Sequence, residues 1–245
     1  MPERKETKRD RCSQASLAPC VLFDFDHTLG IDHQLEERAL RALCVARCDD
    51  PVPDDFVLEA LRSFRQGRRS LGAALSDLLA RCGCTDADPR SLVAAYKSAA
   101  LQDVARSVTP MPGAPAMLAA LAAAGIKLAI LTNGWTELQR AKAAAISFPG
   151  PVFVSQEIGA WKPDPRAFEI AAALASFDVG RTAYVGDSGV IDVAGAKAAG
   201  MFAVWADLEG KPYPAVAPAP DAAITSLGDL PELLRSGLLT SRAIA

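Results

Sequence analysis

The sequence is poor in several features, and each shortage excludes a class of protein. Its 245 residues include only two histidines, His27 and His33. A catalytic cysteine therefore has almost no histidine base to draw on. Lysine and arginine total 26 against 29 acidic residues, a formal net charge of −3. That balance gives nucleic acid or an anionic membrane surface no electrostatic hold. No apolar run reaches the length of about 20 residues needed to span a bilayer. The longest uncharged stretch, 107–126, is broken by Pro110, Pro112, Gly113 and Pro115, which leaves only 117–124 apolar. The stretch 2–14 is strongly charged and lacks the apolar centre of a secretory signal, so 1–18 reads as a disordered charged tail. The six cysteines (Cys12, Cys20, Cys44, Cys48, Cys82 and Cys84) lack the paired CxxC spacing of a zinc site. With no export signal they are expected as free thiols, in a cytoplasmic protein.

What is present is apolar and alternating. Half the residues are hydrophobic. Short apolar runs at 20–23, 128–131, 152–154, 183–185 and 202–205 read as strands. Helical stretches at 114–124, 135–145, 165–175 and 190–199 lie between or beside the last four. Strand and helix in alternation predict a parallel sheet covered on both faces. The gap after the first strand, roughly 32–109, is far too long for a crossover and helical throughout. It predicts an inserted domain of about four helices at 34–47, 54–66, 70–81 and 89–107. The core is then 19–31 with 110–245. Residues 210–220 read as a Pro- and Ala-rich loop, and 224–234 as a last short strand and helix.

Four segments could carry chemistry. The first is VLFDFDHTLG at 21–30, where Asp24 and Asp26 follow a buried strand. Residues two apart on a strand face the same side, so both carboxylates can meet one pocket. Their repulsion calls for a cation or a proton. One can then act as nucleophile or metal ligand and the other as general acid. The second segment is LTNG at 131–134, where Thr132 offers a hydroxyl and Asn133 and Gly134 offer backbone N–H groups at a helix start. Such a start suits a phosphate or carboxylate. The third is WKPDP at 161–165, with Lys162 among stiffening prolines. The fourth is VGDSGVID at 185–192, with Asp187 and Asp192. Gathered carboxylate oxygens suit Mg²⁺. Taken singly, each segment also reads as an ordinary turn, with Ser188 or Asp187 as a helix cap in the fourth.

Taken together and in this order, DFDHTLG, LTNG, KPDP and GDSGVID resemble the motif set of the haloacid dehalogenase-like hydrolases. Within that family the chain is most similar to phosphatases with a helical cap inserted after the first strand. The resemblance covers nearly everything after about residue 18. It implies an α/β, Rossmann-like parallel sheet ordered 5-4-1-2-3. It also implies Mg²⁺-dependent hydrolysis of a phosphomonoester through an aspartyl-phosphate. Carried over by position, Asp24 is the nucleophile and Asp26 the acid that protonates the leaving oxygen and then activates water. Thr132 and the Asn133 backbone clamp the phosphoryl group, and Lys162 steadies nucleophile and phosphate. The metal ligands are Asp24, the backbone carbonyl of Asp26, and Asp187. Asp192 and Ser188 stand behind them. His27 occupies a position where the family most often has glycine; its imidazole is expected near the mouth of the pocket, where it could modulate the Asp26 proton or simply pack, packing being favoured.

Alternatives of the same fold are a 2-haloacid dehalogenase, a phosphomutase and a non-catalytic binding or regulatory protein. A dehalogenase needs no acid at Asp26 and no Mg²⁺. The expected partner is a small phosphorylated metabolite such as a phosphoglycolate-like acid, a nucleotide or a sugar phosphate. Arg62, Arg65, Arg68 and Arg69 could meet a second anionic group on it or form a solvated charged face. Nothing in the sequence indicates an oligomeric state.

Overall fold

The computed structural model describes residues 20–65, 68–84 and 88–236. The charged tail and Cys12 lie outside the described residues, as does the side chain of Arg65.

The chain opens with β1 (Cys20–Phe23), a four-residue strand buried along its whole length. A continuous apolar run with no polar face fits only the middle of a sheet covered on both sides. Two-residue strands β2 (Gly30–Ile31) and β3 (Thr109–Pro110) pair antiparallel, so the entry to and exit from the intervening segment are tied together. That segment holds α1 (Leu35–Val45), α2 (Asp54–Arg65), α3 (Leu71–Arg81) and α4 (Pro89–Ser107). Ser70 caps α3 by accepting from the Ala73 N–H, and Asp88 caps α4 by accepting from Ser91. These satisfy backbone donors that a helix start leaves without partners.

The remaining elements alternate. They are α5 (Ala114–Ala123), β4 (Lys127–Thr132), α6 (Thr136–Ala145), β5 (Val152–Val154), α7 (Ser155–Ile158), α8 (Pro165–Ala175), β6 (Thr182–Gly186), α9 (Ala194–Ala198), β7 (Phe202–Ala206), β8 (Ala222–Ile224) and α10 (Leu230–Arg235). The sheet is parallel and ordered β5-β4-β1-β6-β7-β8. The expected order 5-4-1-2-3 is contained in it and is extended by a sixth strand, β8, beside β7. The short apolar run ending at Ile224 is thus part of the main sheet. The expected helix at 190–199 is also corrected. It begins as a π-helical turn, Gly189–Val193, and becomes α-helical only at Ala194.

Alternation along β1 sends Val21 and Phe23 to one face and Leu22 to the other. Val21 and Phe23 join an apolar cluster that runs through Phe25, Leu29 and Leu35 into the four helices, as far as Tyr96. Leu22 joins Ala129, Leu131, Phe168 and Tyr184 on the opposite face. Helix α4 also packs against α6, so the four-helix segment rests directly on the core.

The register places the site. Phe23 pairs with Ile130 on β4 and with Val185 on β6. The Asp24 N–H continues that ladder by donating to the Val185 carbonyl at 2.9 Å. Asp24, Thr132 and Asp187 therefore leave three adjacent strands at one edge, the carboxyl edge where ligands of open α/β sheets bind.

Candidate active site

Lys162 is the electrostatic centre. Its side chain is 2 % exposed, and Nζ lies 2.6 Å from Asp24 Oδ1, 2.7 Å from Asp192 Oδ1 and 2.8 Å from the Tyr184 hydroxyl. Tyr184 donates in turn to the Leu131 carbonyl at 2.9 Å. Burial opposes the charge on Lys162, but Asp192 and Asp24 outweigh it and hold the ammonium above the ordinary lysine value. An unpaired charge at this depth would be strongly destabilising, and here it has three partners.

Asp24 is buried but for a small opening, its side chain 10 % exposed. Burial pushes its carboxyl up from 3.8 to about 7, with Lys162 pulling down and Asp192 and Asp26 pushing up. Asp187 is also raised, by burial first and then by Asp192. Carboxylate oxygens of Asp24, Asp187 and Asp192 lie within 4.8 Å of one another. This set fits a divalent cation, because gathered carboxylate oxygens are the donors such an ion takes and its charge would offset their mutual repulsion.

Asp192 sits inside this carboxylate cluster, yet its oxygens already have partners. Oδ1 accepts from Lys162 and lies 3.2 Å from the Tyr184 hydroxyl, and Oδ2 accepts from the Ser188 N–H at 3.0 Å. Gly186 makes room for it: a Cβ there would lie 2.5 Å from Asp192 Cγ. Ser188 also caps the turn that follows, accepting from the Ile191 N–H at 3.3 Å. Asp187 is anchored through its backbone, its carbonyl accepting from Trp205 Nε1 at 2.9 Å.

The Asn133 side chain joins two loops of the site. It latches the Lys162 segment, donating to the Lys162 carbonyl and accepting from the Lys162 N–H, each at 3.0 Å. Ser155, at the start of α7, donates to Asn133 Oδ1, and its hydroxyl oxygen also lies 3.2 Å from the Thr132 carbonyl. The Thr132 hydroxyl is buried and makes a long 3.4 Å contact to the Asn133 carbonyl.

Asp26 shares the edge but faces other partners. Lys142 Nζ lies 2.8 Å from its Oδ1, and Gln139 Nε2 donates to its Oδ2 at 3.1 Å. Lys142 also reaches Asp32 Oδ2 at 3.0 Å. Burial opposes the Lys142 charge, and Asp26 and Asp32 together outweigh it. A cleft of about 1030 Å³ opens here, between Asp26, Asn133 and Lys142 on the core side and Phe64, Val93 and Lys97 on the helical side.

One expectation is corrected. His27 does not pack into the core. Its ring is about half exposed, and Nδ1 lies 2.8 Å from Glu209 Oε1 in the loop after β7. Its backbone is left-handed, with φ of 59°, and this turns the side chain outward. The described arginines form the solvated charged face that was one of the two expected readings, and none of them lines the cleft. Arg62 and Arg68 pair with Glu59, and Arg69 pairs with Asp77, around a separate hollow between α2 and α3.

The sequence motifs did not single out Tyr184, Ser155, Gln139 or Lys142. Tyr184 reads simply as a strand residue. Gln139 and Lys142 are three apart, one face of a helix, and that spacing was the available signal.

A parallel sheet with a buried lysine and three carboxylates at its carboxyl edge defines an α/β protein with an aspartate-based site. The profile of the haloacid dehalogenase-like hydrolases matches residues 18–200, and the chain belongs to that family. It is 39% identical over 125 residues to the phosphoserine phosphatase of Thermus thermophilus, a match covering 50% of this chain and 49% of that protein. It is thus aligned with about half the length of that relative. With the phosphoglycolate phosphatase of Caulobacter vibrioides it shares 31% identity over 230 residues, covering 90% of this chain and 92% of that one. Among solved structures, the HAD-hydrolase YfnB of Bacillus subtilis bound to magnesium superposes with a TM-score of 0.68 at 24% identity, over 89% of this chain and 98% of that one. A 2-haloacid dehalogenase from Pseudomonas syringae superposes with a TM-score of 0.65 at 27% identity, over 90% and 99%.

Proposed function

We propose that the chain is a Mg²⁺-dependent hydrolase of a small phosphomonoester, working through an aspartyl-phosphate on Asp24. The observation that carries this reading is the 2.6 Å contact of Lys162 with Asp24 at the edge of the Asp24, Asp187 and Asp192 cluster. Asp24 and Asp187, with the backbone carbonyl of Asp26, would hold the cation, and Asp192 would brace Lys162 behind them. Bound there, Mg²⁺ supplies neutralisation of the charge on the transferring phosphoryl group.

The remaining work falls to the side chains. Asp24 attacks phosphorus, and the ester bond to the leaving oxygen breaks as Asp26 gives that oxygen a proton. Lys162 offsets the developing negative charge from a fixed position. Thr132 and the N–H groups after it hold the phosphoryl oxygens. Asp26, now ionised, takes a proton from the water that cleaves the aspartyl-phosphate, restoring Asp24 and releasing inorganic phosphate.

We read residues 32–109 as a cap that closes over the leaving group and selects the substrate. The phosphoserine, phosphoglycolate and glyceraldehyde 3-phosphate phosphatases among its relatives support a small phosphorylated metabolite as substrate. A cytoplasmic location belongs to the same reading, supported by free thiols at all five described cysteines. Among the described residues, no helix is long and apolar enough to cross a membrane.

The test is phosphate release from an aryl phosphate and from a panel of phosphorylated metabolites, with and without Mg²⁺. Activity should require the metal and vanish in Asp24→Asn. Unchanged turnover in that variant would sink the assignment. Halide release from a 2-haloacid without Mg²⁺ would establish instead the dehalogenase reading that the Pseudomonas syringae likeness keeps open.

A further inference from the structure

The acid of the proposed reaction is not left to find its own orientation. Both of its carboxylate oxygens are held, Oδ1 by Lys142 at 2.8 Å and Oδ2 by Gln139 at 3.1 Å. Both partners come from α6, a helix of the core, and both are nearly inaccessible: Lys142 is 3 % exposed and Gln139 4 %. Lysine is almost never buried this deeply without a dedicated partner, and fixing its long side chain costs rotamer freedom that those contacts must offset. Lys142 is also tied to Asp32 at 3.0 Å. Asp32 follows β2 and leads into α1, through His33 and Gln34, whose φ values of 42° and 65° make a sharp left-handed turn. One buried ammonium thus touches the loop that carries Asp26 and the residue from which the four helices depart. Gln139 completes the frame, because the same Nε2 donates to the Asn133 carbonyl at 3.1 Å, beside the phosphoryl clamp.

We propose that Lys142 and Gln139 are positioning residues that aim the Asp26 carboxyl at the leaving oxygen, and that the Lys142–Asp32 contact ties this aim to the placement of the four-helix segment. The inference rests on Asp26 being the leaving-group acid. A plain structural staple would hold the same atoms together, but it predicts a different kinetic signature. An aim at the leaving oxygen matters most where that oxygen cannot depart without a proton. A nitrophenolate leaves readily as the anion, whereas an alkoxide does not.

The experiment compares kcat/KM for 4-nitrophenyl phosphate with kcat/KM for an alkyl phosphomonoester, in the full-length protein with saturating Mg²⁺. This ratio reports the steps up to departure of the leaving group and is blind to hydrolysis of the aspartyl-phosphate. Lys142→Met should lose on the order of 10²-fold on the alkyl ester and at least about 10-fold less on the aryl ester. Gln139→Met keeps the ion pair and should show the same preference at smaller amplitude, so the proposal stays testable if Lys142→Met fails to fold. Asp32→Asn should share the preference, and equal behaviour on both esters there would overturn the link to the helical segment. Equal losses on both esters in Lys142→Met and Gln139→Met, or no loss in either, would overturn the positioning role. Asp26→Asn in the same series separates the two levels. If it shows the selective alkyl loss and the α6 variants do not, the positioning inference falls and the acid assignment stands. If Asp26→Asn itself shows none, the acid assignment falls.

Discussion

Asn133 grips the main chain of Lys162 from both sides, Nδ2 donating to its carbonyl and Oδ1 accepting from its N–H, each at 3.0 Å. The loop after β4 and the loop between α7 and α8 are thereby fixed to one another, and the ammonium that reaches Asp24 inherits that placement. Asn133→Ala removes both bonds and leaves buried backbone groups without partners. It should cost about 1–3 kcal/mol of stability, read by urea denaturation. It should also lower kcat/KM by about 10²-fold, because a displacement of about 1 Å at a catalytic group has that effect.

Burial and neighbouring carboxylates hold Asp24 at about 7 instead of 3.8. The folded protein therefore retains a proton that the unfolded chain has already released between about pH 4 and pH 7. The sign follows: the contribution of this site to stability is present below about pH 4 and is lost as pH rises toward about 7. In metal-stripped protein the thermal midpoint should carry this downward slope. Asp24→Asn should flatten it, and so should saturating Mg²⁺, which favours the ionised carboxylates. A slope identical in wild type and Asp24→Asn, measured by differential scanning fluorimetry, would contradict the origin assigned to it.

Gly186 is the last residue of β6, and a side chain there meets Asp192 at 2.5 Å. Gly186→Ala must push Asp192 away from Lys162 and from the Ser188 N–H. The expected cost is about 1–3 kcal/mol, typical of overpacking. The Mg²⁺ concentration for half-maximal activity should rise as the carboxylate cluster loses its arrangement. Isothermal titration with Mg²⁺ checks the second effect independently of turnover.

The Tyr184 hydroxyl bridges Lys162 and the Leu131 carbonyl. Tyr184→Phe keeps the ring and its edge-on contact with Phe168 but leaves that carbonyl without its partner. A loss of about 1–3 kcal/mol is expected, with KM little changed because the hydroxyl lies behind Lys162. Chemical denaturation and steady-state kinetics read the two effects separately.

Much of this was legible along the chain. The apolar runs marking the strands and the aspartates at their ends are local patterns, as are Pro165 opening α8 and Asp88 capping α4. Each is decided by neighbours within a few residues. His27 was misjudged because a turn motif does not show which way a residue with positive φ will point. The arginine group was legible in part. Glu59 stands three residues before Arg62, one turn away on α2, whereas the pairs Arg68–Glu59 and Arg69–Asp77 span nine and eight residues and depend on how the chain turns between α2 and α3. Lys142 was invisible for the same reason: its partners Asp26 and Asp32 lie over a hundred residues away.

By itself, then, the sequence determined the kind of protein: a covered parallel sheet, a helical segment after its first strand, and carboxylates, a lysine and a hydroxyl at strand ends. These follow from strand and helix periodicity and from turn chemistry, which act over short distances. Only the tertiary structure decided who faces whom. Strand register brought Asp24, Thr132 and Asp187 to one edge, β8 widened the sheet, and the packing of α6 turned Lys142 and Gln139 onto Asp26. The reason is physical. A buried charge must find its partner in space, and which residue that is depends on how the layers close, not on where it stands in the chain.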